Sequence, residues 1–73
     1  MFDYQKLLGR IVEKYRTQAR FANAMKLSER SLSLKLNNKV PWRQAEIEEA
    51  RMLLDIPPTD VYAYFFAAKV QGN

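Results

Sequence analysis

Apolar residues mark out a series of short helices along the chain. Tyr4, Leu8, Ile11 and Tyr15 recur at i, i+4, i+7 and i+11, which predicts an amphipathic helix over residues 3–15 with Asp3 as its N-cap. Phe21, Ala22 and Met25 share one face of a second helix over 17–25, opened by Thr17, whose hydroxyl can cap an orphan backbone N–H. A third helix, 28–37, opens at Ser28 with Glu29 favouring its N-terminus, and Leu32 and Leu36 repeat at a spacing of four. Only Lys26 and Leu27 separate these two helices, so they must cross steeply, and the small Ala22 lets them approach.

Asn37 and Asn38 are a natural stop for the third helix, because Asn tolerates a left-handed backbone. Val40, Pro41 and Trp42 then form a loop. A fourth helix over 43–54 turns Ile47, Ala50, Arg51 and Leu54 inward and carries Glu46, Glu48 and Glu49 near its start, where acids suit the helix dipole. Pro57 and Pro58 break the chain after it. A fifth helix begins at Asp60, with Val61, Tyr64 and Phe65 on one face. The aromatic content there also suits a strand over 62–70, so both assignments stay open. The expectation is one all-α domain over 1–73: five helices, a core over 3–66, and a tail or dimer contact over 67–73 that includes a possible extended segment.

The 73-residue chain has no Cys and no His, so the usual zinc ligands, thiol nucleophiles and imidazole acid–base groups are absent. No metal, cofactor or small-molecule effector is expected. Its carboxylates have ordinary surface-helix spacing and no partnering nucleophile, so no catalytic residue can be nominated and no enzyme is expected. The N-terminus interleaves charge with apolar residues too finely for a signal peptide. The longest apolar run, 61–68, is far short of the ~20 residues that a membrane span needs, which predicts a cytoplasmic protein with no membrane partner; nucleoid association would follow from DNA binding.

Charge is unevenly spread. Residues 1–43 hold ten Lys and Arg against Asp3, Glu13 and Glu29, a balance of +7, whereas 44–73 hold Arg51 and Lys69 against five acids, a balance of −3. The basic part coincides with the two central helices, where an electrostatic footprint for phosphates belongs. Two helices, a tight turn and a basic outer face have the layout of a helix-turn-helix DNA reader.

Gln18, Phe21, Ala22, Met25, Leu27, Ser28, Leu32, Leu36, Asn37 and Lys39 resemble the pattern of lambda-repressor-like (Cro/C1-type, XRE) helix-turn-helix proteins. The ending Leu53-Leu54-Asp55-Ile56, a break and a short helix is similar to that family's closing segment, and the small size and Tyr64-Phe65-Phe66 most resemble phage or prophage proteins of Gram-positive hosts. Two departures stand out. Lys26 occupies the turn position usually held by Gly, so it must accept a left-handed backbone or alter the turn. Lys35 stands where many members are apolar, which leaves the inward contact to Leu36 and Leu32 and directs Lys35 outward to a phosphate.

From the helix phase, Glu29, Arg30, Ser33 and Leu34 would face bases in the major groove, and the resemblance implies Glu29, Arg30 and Leu34 as the main readers. Arg30 can donate two hydrogen bonds to guanine, Glu29 can accept from cytosine or hold Arg30, and Leu34 can touch a thymine methyl. Glu29 also reads as a plain N-terminal acid, and Leu34 as a packing residue under Trp42 or in a subunit contact. Trp42 itself is either a lid on the core or a backbone contact. Gln18, assisted by Thr17 and the amides of the second helix, and Asn37, Asn38, Lys39 and Arg43, would clamp the backbone, with Ser28, Ser31 and Lys35 nearby.

The resulting expectation is a sequence-specific regulator on a double-stranded operator, bound as a homodimer on a palindrome through Tyr62, Phe65, Phe66 and Val70. Those aromatic residues equally suit capping of the monomer's own core. The alternative function is a protein-binding adaptor of antitoxin or anti-repressor type, which uses the acidic fourth helix and the aromatic end of the same scaffold.

Overall fold

The structure is a computed structural model and describes residues 1–70. Five α-helices follow one another: α1 (Gln5–Tyr15), α2 (Gln18–Ala24), α3 (Glu29–Leu36), α4 (Gln44–Leu53) and α5 (Val61–Phe65), with a 3-10 turn at Pro58–Asp60. The all-α, five-helix expectation therefore holds.

Local chemistry accounts for most boundaries. The cap of α1 is Tyr4, so Asp3, the expected cap, lies one residue outside it, but its Oδ1 still accepts the Gln5 N–H at 2.9 Å. Thr17 and Ser28 cap as expected, accepting the N–H groups of Arg20 and Ser31 at 3.1 and 3.0 Å. Lys26 takes the left-handed backbone at φ 60°, and the turn closes when Leu27 N–H donates to Ala22 O at 2.9 Å. Asn38 ends the third helical segment in the same conformation, at φ 61°.

One core gathers all five helices. Leu7 and Ile11 of α1, Phe21 and Ala22 of α2, Leu32 and Leu36 of α3, Ala50 of α4 and Phe65 of α5 are buried together with Tyr4, Met25, Leu54 and Ile56. Full burial of side chains such as Phe21 and Phe65 stabilises the domain by about 1.5–3 kcal/mol each. The sequence pattern placed Leu8 on the inner face of α1; the structure buries Leu7 completely and Leu8 only in part, because Leu7 and Ile11 stack one turn apart toward α2.

The strand alternative for 62–70 is not observed. Val61, Tyr64 and Phe65 all meet the core, at spacings of three and four, which one helix face allows and strand alternation would not, since it sends Tyr64 and Phe65 to opposite sides. Beyond α5 the chain extends: Asp3 N–H donates to Ala67 O at 2.8 Å, Lys69 N–H donates to Met1 O at 3.0 Å, and Phe2 and Ala68 form an isolated antiparallel bridge. The predicted tail over 67–73 is described as far as residue 70, and 71–73 lie outside the described residues. Among the described residues no helix is long and apolar enough to cross a membrane.

Candidate functional site

The outer face of α3 carries the residues expected to read bases. Glu29 and Arg30 are exposed on its first turn, and Ser33 and Leu34 are half-buried one turn on. Beyond Leu34 the chain folds back: Lys39 N–H and Val40 N–H both donate to Leu34 O, at 2.9 and 3.3 Å. This brings the 40–43 loop against the helix. Between helix and loop lies a recess of about 460 Å³, with Leu27, Leu34, Val40, Pro41 and Trp42 as apolar wall and Ser31, Lys35, Arg43 and Glu46 as polar margin.

Lys35 does not reach outward to a phosphate. It is only 5% exposed, its ammonium sits 2.8 Å from Glu46 Oε1, and it donates to Pro41 O at 3.2 Å. The same Glu46 oxygen accepts the Arg43 N–H at 2.9 Å, so one carboxylate fastens α3, the loop and the start of α4. Burial pushes the Glu46 carboxyl upward. The Lys35 hydrogen bond, the Arg43 N–H and the two positive charges together outweigh it and hold the group below the ordinary glutamate value. The outward reading of Lys35 failed because a cation in an amphipathic helix is solvated by default, and only the fold brings α4 within its reach.

Other residues expected on the DNA backbone are likewise engaged within the fold. Asn38 closes a two-bond clasp on the N-terminal segment, accepting from Phe2 N–H and donating from Nδ2 to Phe2 O, both at 2.9 Å. Asn37 Nδ2 donates to Ser33 O at 2.8 Å. The Thr17 hydroxyl caps α2, and Ser28 both caps α3 and donates from Oγ to Ser31 Oγ at 3.0 Å. Of the proposed clamp, Thr17, Gln18, Asn37, Lys39 and Arg43 are exposed, and among the described residues the Gln18, Lys39 and Arg43 side chains make no hydrogen bond. The four ion pairs among the described residues use Arg10, Lys14, Lys35 and Arg51, so Lys26, Arg30, Lys39 and Arg43 around α3 have no carboxylate partner there.

The second surface is the aromatic end. Phe65, expected in a dimer contact, is 2% exposed and packs at 5.2 Å edge-on to Trp42, inside the monomer, so it cannot meet a second copy. Trp42 accordingly lies against the core, with Tyr4 6.5 Å away on another side. Tyr62 and Phe66 do face solvent, at 71% and 38% exposure, stacked on each other at 6.2 Å, and Val70 is exposed as well. Phe2, unremarked in the sequence pattern, completes the cluster edge-on to Phe66 at 5.9 Å. An apolar residue just ahead of a helix start was its only signal. Phe2, Phe66, Val40, Pro41 and Trp42 share the lining of a second recess of about 220 Å³, so the aromatic end runs on into the wall of the α3 recess.

Comparison with known proteins changes the function expected for these surfaces. No curated protein matches the chain. The modulator of repression (MOR) of the temperate bacteriophage TP901-1 from Lactococcus lactis, known from its solution structure, is 54% identical, over 96% of this chain and 95% of that one, with a TM-score of 0.81. A protein so alike from end to end is named for modulating repression, not for reading an operator. This overturns the expectation of a sequence-specific DNA-binding regulator and, with it, the double-stranded operator and the operator-bound homodimer as partners. The geometry fits that correction, since Lys35, Asn37 and Asn38, assigned to phosphates, are held by the protein itself. Residues 1–68 match the profile of the family described as "Protein of unknown function (DUF739)", and to that family the chain belongs.

Proposed function

We propose that this chain is a phage regulatory protein that modulates repression by binding a repressor protein, and that it acts by association, without catalysis. The carrying observation is the 54% identity with the TP901-1 modulator of repression across nearly the whole of both chains. The surface supports the same reading. Phe2, Tyr62 and Phe66 form an exposed aromatic cluster on the rim of a recess, and aromatic residues are enriched where proteins meet proteins.

The scaffold itself is of the lambda-repressor-like helix-turn-helix kind, turned to a protein partner. The two side-chain caps at Thr17 and Ser28, the short Met25 to Leu27 link and the left-handed Lys26 support that placement.

The test mixes the purified protein with the repressor of the phage that carries it and follows complex formation by size exclusion and calorimetry. Mobility shifts on the operator are run with each protein alone and with both. The expected result is a stable protein–protein complex, an altered repressor shift in the mixture, and no shift by this protein alone. A sequence-selective shift by this protein alone, with no complex, would overturn the proposal.

A further inference from the structure

The recess between α3 and the 40–43 loop is rich in donors and poor in acceptors. Its one carboxylate, Glu46, is spent on Lys35 and the Arg43 N–H. The Trp42 indole N–H is buried behind the recess wall with no acceptor among the described residues. Arg43 on the margin is exposed and has no ion-pair partner among the described residues, and Arg30 stands free on the same helix face, one turn before Leu34. Phosphates could satisfy such cations, but a phosphate backbone has no use for an apolar wall of Leu27, Leu34, Val40, Pro41 and Trp42.

We infer that this recess receives a large apolar side chain flanked by a carboxylate, presented by the protein partner. The apolar group fills the space beside Leu34 and Trp42. The carboxylate meets Arg43, with Arg30 adding attraction, while the Trp42 ring forms part of the apolar wall. The inference rests on the proposed function, because it describes the chemistry by which a protein partner is chosen. It also extends the contact beyond the aromatic end, whose recess shares Val40, Pro41 and Trp42 with this one.

Trp42 is the sole tryptophan, so a ¹⁵N-labelled sample of the whole chain gives one indole N–H signal to follow. Acetyl-Leu-Glu-amide is titrated in, with acetyl-Leu-Lys-amide, acetyl-Gly-Glu-amide and an unrelated short DNA duplex as comparisons at physiological salt. The expected result is a saturable movement of the indole signal with the Leu-Glu compound, weaker by about two- to fivefold in Arg43→Gln, the range of an exposed ion pair. No movement, an equal response to Leu-Lys or Gly-Glu, or a saturable response to the duplex alone would overturn it. Arg43→Gln alters an exposed side chain and leaves the core intact; Leu34→Ser provides a second variant and should abolish the response while the remaining spectrum stays dispersed. Binding of the repressor is measured separately on the same variants. Repressor binding that is unchanged in both variants defeats this inference alone, whereas a wild-type protein that binds no repressor defeats the proposed function and leaves the titration to decide the recess.

Discussion

Replacing Lys35 by Met should cost about 2–4 kcal/mol of folding stability, a large part of the ~4–11 kcal/mol expected for a domain of this size. The ammonium–carboxylate distance of 2.8 Å corresponds to about 6 kcal/mol of gross attraction at an effective dielectric of 20, most of which offsets the desolvation of both charges. The net worth of the pair is therefore small, but the penalty for leaving one partner alone is not. With Lys35 gone, Glu46 keeps the Arg43 N–H and its 18% exposure to water, so the penalty falls toward the low end of the range for broken buried pairs. The double variant Lys35→Met, Glu46→Gln should recover more than half of the loss, because Gln still accepts from Arg43 and no charge remains uncompensated. Urea and thermal denaturation followed by circular dichroism at neutral pH measure Lys35→Met, Glu46→Gln and the double variant. The single substitution should lower the thermal midpoint by roughly 10–25 °C. A loss below about 0.5 kcal/mol in Lys35→Met, or strictly additive losses in the double variant, would refute the view of this pair as the fastening of α3 to α4.

Three further outcomes follow from the same geometry. Asn38→Gly keeps the left-handed backbone but removes the clasp on Phe2, so stability should fall by about 1–2 kcal/mol and the Phe2 amide should lose protection from hydrogen exchange; unchanged protection would show that the clasp does not hold the N-terminal segment. Lys26→Gly relieves an L-residue at φ 60° in the inter-helix turn and should stabilise by about 0.5–1 kcal/mol in the same urea assay, whereas a destabilised variant would mean that the Lys26 side chain contributes contacts. Acid should weaken the fold through Glu46, whose folded pKa is depressed: its contribution is complete above the unfolded-chain value of ~4.3 and is lost as pH falls through the lower folded value. Glu46→Gln should flatten the dependence of the urea midpoint between neutral and acid pH, and a fall as steep as in the parent protein would assign the effect elsewhere, Asp55 beside Lys14 being the other depressed carboxyl in an ion pair between residues distant in sequence.

Much of the fold is legible along the chain because its signals are local. The Thr17 and Ser28 hydroxyls bond three residues ahead, Asn38 and Lys26 meet left-handed positions within their own turns, and α4 closes locally too, through a left-handed Asp55 and the Ile56 N–H bond to Arg51 O, with the paired prolines barring its continuation. Leu7 against Leu8 is a near miss of one position, since helical spacing admits both and only the packing of α1 on α2 selects the inner one. The site is less legible. Lys35, Asn38 and Phe65 each read outward along the chain, yet each is claimed by a residue distant in sequence or by the core: Glu46 for the lysine, Phe2 for the asparagine, Trp42 for the phenylalanine. Function is illegible for a related reason. Helical periodicity and basic charge on α3 report a scaffold, and a scaffold can present the same face to phosphates or to a protein.

What the sequence determined by itself is where helices begin, turn and stop, and that one apolar face of each must be buried, because capping, backbone preference and periodicity act within a few residues. What only the tertiary structure decided is which polar groups are left over. The Lys35–Glu46 pair, the Asn38 clasp and the packing of Trp42 join segments that the sequence keeps apart, and together they convert an expected phosphate clamp into a recess with free cations and an apolar wall. Long-range pairing of polar atoms depends on where the core places the backbone, and that is a property of the packed chain and not of any window along it.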